Sequence, residues 1–166
     1  LRERLEWAID GRDWPNREAS RFVRAAGLNW HIQQFGPSPQ HAPLIALLHG
    51  TGSSTHSWRD VAPSLARHSA VLAMDLPGHA FTSRGPEGSL SLAGMTEGIR
   101  ALMLQLNLTP AVIAGHSAGA AIAANGFDVQ KLPINSSTIW VLQNGQGERY
   151  GQVNTELAEL TSASSA

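Results

Sequence analysis

A chain of 166 residues, 42% apolar and 15% charged, is long enough to bury one core without crosslinks or a metal, and its composition is that of a folded domain rather than a disordered segment. A formal charge of −1, with Lys131 the one lysine and the arginines scattered, supplies no basic stripe for a phosphate backbone or an anionic membrane, which argues against nucleic-acid partners. The absence of cysteine removes disulfides, thiolate metal sites and thiol nucleophiles together. No apolar run approaches the ~20 residues of a membrane span. The opening "LRERLEWAIDGRDWPNRE" mixes acids with bases and is no secretory leader. The expectation is a cytoplasmic protein with no cofactor and no bound metal. A first residue that is Leu rather than Met points to a processed or incomplete chain.

After the charged opening, residues 20–36 place apolar side chains near alternate positions on both sides of Ala25-Ala26-Gly27, which predicts a β-hairpin. Residues 37–43 form a loop. "LIALLHG" (44–50) is apolar until His49 and Gly50, as in a strand buried on both faces. Trp58, Val61, Ala62 and Leu65 recur at helical spacing and predict a helix over 56–68 that Pro63 kinks or shortens.

"AVLAM" (70–74) is a second buried strand, closed by the turn cluster "DLPGH". Leu92, Met95, Ile99, Leu102, Met103 and Leu106 give a sustained apolar face, so a helix is predicted over 91–107 with Ser89 or Ser91 as its cap. "AVIAG" (111–115) is a third buried strand, and an Ala-rich helix leaves Ser117. Past Asn125 the chain is polar and broken, apart from a candidate strand at 138–142 and a short, weak helix over 153–166. Strands alternating with helices predict an α/β domain with a mostly parallel sheet.

"GHSAG" (115–119) joins a strand to a helix, where a sharp turn leaves a serine hydroxyl exposed at the carboxyl edge of the sheet and a Cβ at either glycine would obstruct the bend. Ser117 is therefore the candidate nucleophile. Acyl transfer also needs donors for the developing oxyanion, and the backbone N–H groups of Thr51 and Ala118 are the candidates. His49, Gly50 and His116 are candidate substrate-binding neighbours. Gly50-Thr51-Gly52 is followed by no Gly-Lys-Ser/Thr and no third glycine, so neither a phosphate loop nor a dinucleotide fingerprint is present. Asp75 with His79 makes a two-residue metal site without a third partner. A turn-forming Asp75 is the better reading.

In this order, the His49-Gly50 loop, the Asp75-Leu-Pro-Gly-His turn and the serine elbow resemble the α/β-hydrolase superfamily. More narrowly, "DGRDWPNREASRFVRAAGLNWHIQQFG", "LLHGTGSSTHSWRDVAPSLAR", "DLPGHAFTS" and "GHSAGAAIA" resemble the BchO family of magnesium-chelatase accessory proteins. Trp14-Pro15-Asn16 and Thr55-His56-Ser57-Trp58 are the most diagnostic stretches. The resemblance covers about residues 10–124, with 125–166 a divergent tail of the same single domain, and it implies a role in bacteriochlorophyll synthesis. It also implies magnesium chelatase as a partner and a porphyrin-type or small ester ligand. Ala80 departs from the family's turn, which carries Gly there, and this bears on the backbone angle.

In the α/β-hydrolase order, an acid and then a His follow the serine. All seven histidines here (His31, His41, His49, His56, His68, His79 and His116) precede Ser117, and the later carboxylates are Asp128, Glu148, Glu156 and Glu159. His49, His79 and His116 are poor substitutes for the base, because reach to the hydroxyl comes first. Without a base the hydroxyl is a weak nucleophile, although an oxyanion site alone retains some power. The expectation is a truncated or altered hydrolase-type domain lacking its cap and last strands, with an ester hydrolase or a non-catalytic binding protein as alternatives. An unpaired sheet edge would then favour association.

Overall fold

The computed structural model describes residues 5–126 together with 138–142. Strands Ser20–Ala25 (β1) and Leu28–Phe35 (β2) pair antiparallel about a tight turn at Ala26 and Gly27, both at positive φ. Leu44–Leu48 (β3), Ala70–Met74 (β4), Val112–His116 (β5) and Thr138–Leu142 (β6) complete one sheet in the order β1-β2-β4-β3-β5-β6. From β4 to β6 the neighbours run parallel, and β2 joins β4 antiparallel. The expected strand at 138–142 thus pairs along β5, and with β1 it is one of the two edge strands among the described residues.

Alternation along the strands divides the core between two faces. Leu44, Ala46, Leu48, Ala70, Leu72, Met74 and Ile113 point to one, where they meet Ile99, Leu102 and Met103 of helix Leu92–Leu106 and Ile122 and Ala123 of helix Ala118–Gly126. Leu47, Val71 and Ala73 point to the other, against Trp58 and Ala62. Burial of both faces is why the parallel strands read as continuous apolar runs.

Four α-helices occur among the described residues: Trp7–Asp10 (α1), Val61–Leu65 (α2), Leu92–Leu106 (α3) and Ala118–Gly126 (α4). Ser91 caps α3, its hydroxyl accepting from Gly94 N–H, and Asn107 ends it in a left-handed conformation. The helix expected over 56–68 is two pieces, a 3₁₀ turn at Thr55–Trp58 and the short α2. The reason is Pro63, which lacks an N–H and fits only a first helical turn, so α2 starts at Val61, two residues before it. Gly-rich residues 143–152 and the weak helix expected over 153–166 lie outside the described residues, as do Asp128, Glu148, Glu156 and Glu159.

The opening segment is more ordered than its charge suggests. Residues 5–19, comprising α1 and a 3₁₀ turn at Arg17–Ala19, lie as a strap over the β1–β2 face that carries Phe22, His31 and Gln33. Gln33, buried, donates through its amide nitrogen to the carbonyls of Pro15 and Asn16.

Candidate active site

β5 ends at His116 and α4 begins at Ala118, so the whole change of direction falls on Ser117, whose φ is +53°. An L-residue in this region is strained, and a strained turn at the carboxyl edge of a sheet is how a side chain is made to stand out from it. Ser117 is exposed. Gly115 and Gly119 permit the bend: a Cβ on Gly115 would overlap the backbone of Gly119 and Ala120, and one on Gly119 would overlap the carbonyls of Leu48 and His49.

The second contact comes from the loop after β3. A Cβ on Gly50 would lie 3.2 Å from Ser117 Cβ and 3.1 Å from His116 Nδ1, so the bare Gly50 backbone packs beside the elbow. Thr51 follows directly and is exposed. In α4 the first ladder bonds run from Ala120 and Ala121 N–H to Ser117 O, which leaves the Ala118 amide in the first turn without an intrahelical acceptor. Among the described residues no acceptor takes the N–H of either Thr51 or Ala118. One exposed hydroxyl and two uncommitted amides therefore belong to neighbouring segments at one sheet edge.

His49 is fully buried and both of its ring nitrogens are engaged. Nε2 accepts from Leu76 N–H at 2.9 Å, which fixes the proton on Nδ1, and Nδ1–H donates to Gly50 O at 2.7 Å. Burial, above all, holds the imidazole below its ordinary value of 6.5, with the His79 ring 5.1 Å away acting in the same direction and Gly50 O and Asp75 opposing. A neutral ring with no spare nitrogen braces the loop and takes no proton from Ser117. Gly50 and His116 do adjoin the elbow, and His116 is exposed. His79 engages Pro77 O through Nδ1 at 3.0 Å.

Asp75 is the residue that sequence reasoning undervalued. Its buried carboxylate accepts from Thr55 N–H at 2.7 Å and Phe81 N–H at 3.2 Å, which suits the turn-forming role, and it also pairs with His31 Nδ1 at 2.7 Å. His31 is fully buried among Trp7, Trp14, Phe22 and Phe81. This His–Asp pair resembles two members of a catalytic triad by type but not by place. β4 and β3 separate β2 from β5. At ~4.8 Å per strand spacing His31, three strands away, stands roughly 14 Å from the elbow, and Asp75, two strands away, roughly 10 Å. It carried no local sequence signal, because His31 meets Asp75 only through the pairing of the non-consecutive strands β2 and β4. Among the described residues no group of three or more His, Asp or Glu side chains is arranged to hold a metal ion.

A family model described as the alpha/beta hydrolase fold matches residues 43–136, which takes in the loop, the turn and the elbow and runs past residue 124. The "Magnesium-chelatase 30 kDa subunit" of Rhodobacter capsulatus is 39% identical over 111 residues, covering 67% of this chain and 38% of that protein. The "Dihydrolipoyllysine-residue acetyltransferase component of acetoin cleaving system" of Pseudomonas putida is 30% identical over 149 residues, covering 80% and 39% respectively. The chain thus spans less than two fifths of the length of the first of these relatives. Epoxide hydrolase A from Mycobacterium thermoresistibile superposes with a TM-score of 0.63 at 23% identity, over 87% of this chain and 44% of that one, a likeness of fold. No helix among the described residues is long and apolar enough to cross a membrane.

Proposed function

The chain belongs to the alpha/beta hydrolase fold family, and from that premise we propose that it acts in the cytoplasm beside magnesium chelatase in bacteriochlorophyll synthesis, with Ser117 at the site that receives an ester-bearing or porphyrin-type ligand. One observation carries the site: the exposed, left-handed Ser117 packed against the bare backbone of Gly50. The partner rests on the similarity to the Rhodobacter capsulatus subunit.

At such a site a carboxylic ester lies with its carbonyl carbon over Ser117 Oγ. Attack forms a carbon–oxygen bond, pushes the carbonyl electron pair onto oxygen, and places that oxyanion where the Thr51 and Ala118 amides donate to it. The hydroxyl proton passes to solvent water, and collapse of the tetrahedral adduct re-forms the carbonyl and expels the alcohol, which takes up a proton from water. Neither His49, with both nitrogens engaged, nor His31, held by Asp75 across the sheet, receives the serine proton. Ligand binding with slow acyl chemistry is therefore the activity we assign to these residues.

The experiment adds the chain to a magnesium-chelatase assay with protoporphyrin and follows both the insertion rate and quenching of tryptophan fluorescence. A changed rate with saturable quenching is expected. No effect on rate and no quenching would refute the role. The two uncommitted amides also favour a second reading, a plain carboxylic-ester hydrolase. Turnover of p-nitrophenyl acetate that Ser117→Ala abolishes, with no porphyrin quenching, would select it.

A further inference from the structure

Within the exposed oxyanion loop one backbone bond, Ser53 N–H to Gly50 O at 3.1 Å, closes a turn but leaves the Thr51 amide itself unbonded. Gly52 sits at φ +72° with open space where a Cβ would be, and Thr51 and Gly52 are both exposed. An amide useful to a transition state needs a fixed direction, and beyond that one turn bond the buried contacts that fix it lie at the ends of the loop. One end is braced by His49, between Leu76 N–H and Gly50 O. The other end is Thr55, fully buried, whose N–H reaches Asp75 Oδ1 at 2.7 Å and whose Oγ1 accepts from Trp14 Nε1 at 3.1 Å. The anchors on β4's end are consecutive residues, Asp75 and Leu76, and the remaining anchor comes from the strap.

We infer that Trp14 is a positioning residue for the acyl site, holding Thr55 and through it the Thr51 amide; this rests on the reading of Ser117 given above. The strap is built for the task. Gln33 pins it from beneath through Pro15 O and Asn16 O, Asn16 Nδ2 donates to Arg59 O at 2.9 Å just beyond the same turn, and the indole of Trp14 packs edge-on against His56 and Phe81. An N-terminal segment is thereby tied to the loop that runs beside Ser117.

Three variants test this. Trp14→Phe keeps a ring and removes the indole N–H, Thr55→Val removes the acceptor, and Thr55→Ser retains a hydroxyl. Amide hydrogen exchange of residues 51–54 is measured on each, together with labelling of Ser117 by a fluorophosphonate probe resolved into its saturating rate and half-saturating concentration. Expected are exchange at 51–54 about tenfold faster in Trp14→Phe and Thr55→Val, and a saturating rate about tenfold lower. The half-saturating concentration is unchanged, and Thr55→Ser restores both quantities. Unchanged local exchange in Trp14→Phe overturns the inference. So does a loss spread over the whole sheet that Thr55→Ser does not restore, which would mark a structural role only. A wild-type chain that is never labelled, beside a clear exchange difference, overturns instead the reading of Ser117 as an acyl site.

Discussion

Ser117 and Ala80 both hold left-handed backbone, at φ +53° and +40°. For an L-residue that region costs on the order of 1–2 kcal/mol. At Ala80 nothing in the site requires the methyl, so Ala80→Gly should stabilise the fold by about 1 kcal/mol after the flexibility glycine adds to the unfolded chain. A higher denaturation midpoint with unchanged slope checks it. The departure from the family's glycine was visible in the sequence, and the angle explains why it matters. His49 makes a pH prediction of definite sign. Its folded value lies below 6.5, so the unfolded chain binds the extra proton first. Its contribution is intact at neutral pH and is lost as pH falls below about 6.5 toward the lower folded value. Denaturation at pH 7.5 and 5.5 should show this loss, and His49→Gln should be less stable at pH 7.5 yet show a shallower slope. Ser117, Thr51 and Ala118 were legible as candidates because the bend demands small residues around one hydroxyl. The His31–Asp75 pair was not, since alternation puts His31 on the face away from Trp30 and Ile32, and the pairing of β2 with β4 that brings Asp75 to it has no local mark.

Among the elements, β3, β5 and α4 form one contact unit around glycines. Gly119 meets the carbonyls of Leu48 and His49 where any side chain would overlap them. Gly119→Ala should therefore push α4 off the sheet at a cost of about 2–3 kcal/mol. Circular dichroism in a urea series gives the midpoint that checks this. The buried strands and α3 were legible because each carries a strong apolar pattern and, in α3, a serine cap. The helix expected over 56–68 is shortened around Pro63, as that residue indicated, whereas the 3₁₀ turn at Thr55–Trp58 was not legible because helical spacing persists through it. The strap was missed for a different reason. Trp7 and Trp14 lie in a charged stretch without periodicity, and their order comes from tertiary contacts with His31 and Phe81.

At the scale of the molecule, strand order brings the ends of β3, β4 and β5 to one edge, and the proposed site draws on each. The β3 end supplies Gly50 and Thr51, the β4 end the anchors Asp75 and Leu76, and the β5 end Ser117. The sheet continues past β5 through the expected strand at 138–142, because β6 pairs along it. The overall α/β plan was legible from the alternation of buried runs and amphipathic ones, whereas the antiparallel joining of β2 to β4 carries no local sequence mark. The claim on which the account turns is that Ser117 Oγ stands open beside the Thr51 and Ala118 amides. Treating the chain with a fluorophosphonate and mapping the adduct by peptide mass tests it most directly. A single adduct on Ser117, absent from Ser117→Ala, is the predicted result. No adduct after prolonged exposure, or one on another serine with Ser117 unmodified, would contradict it.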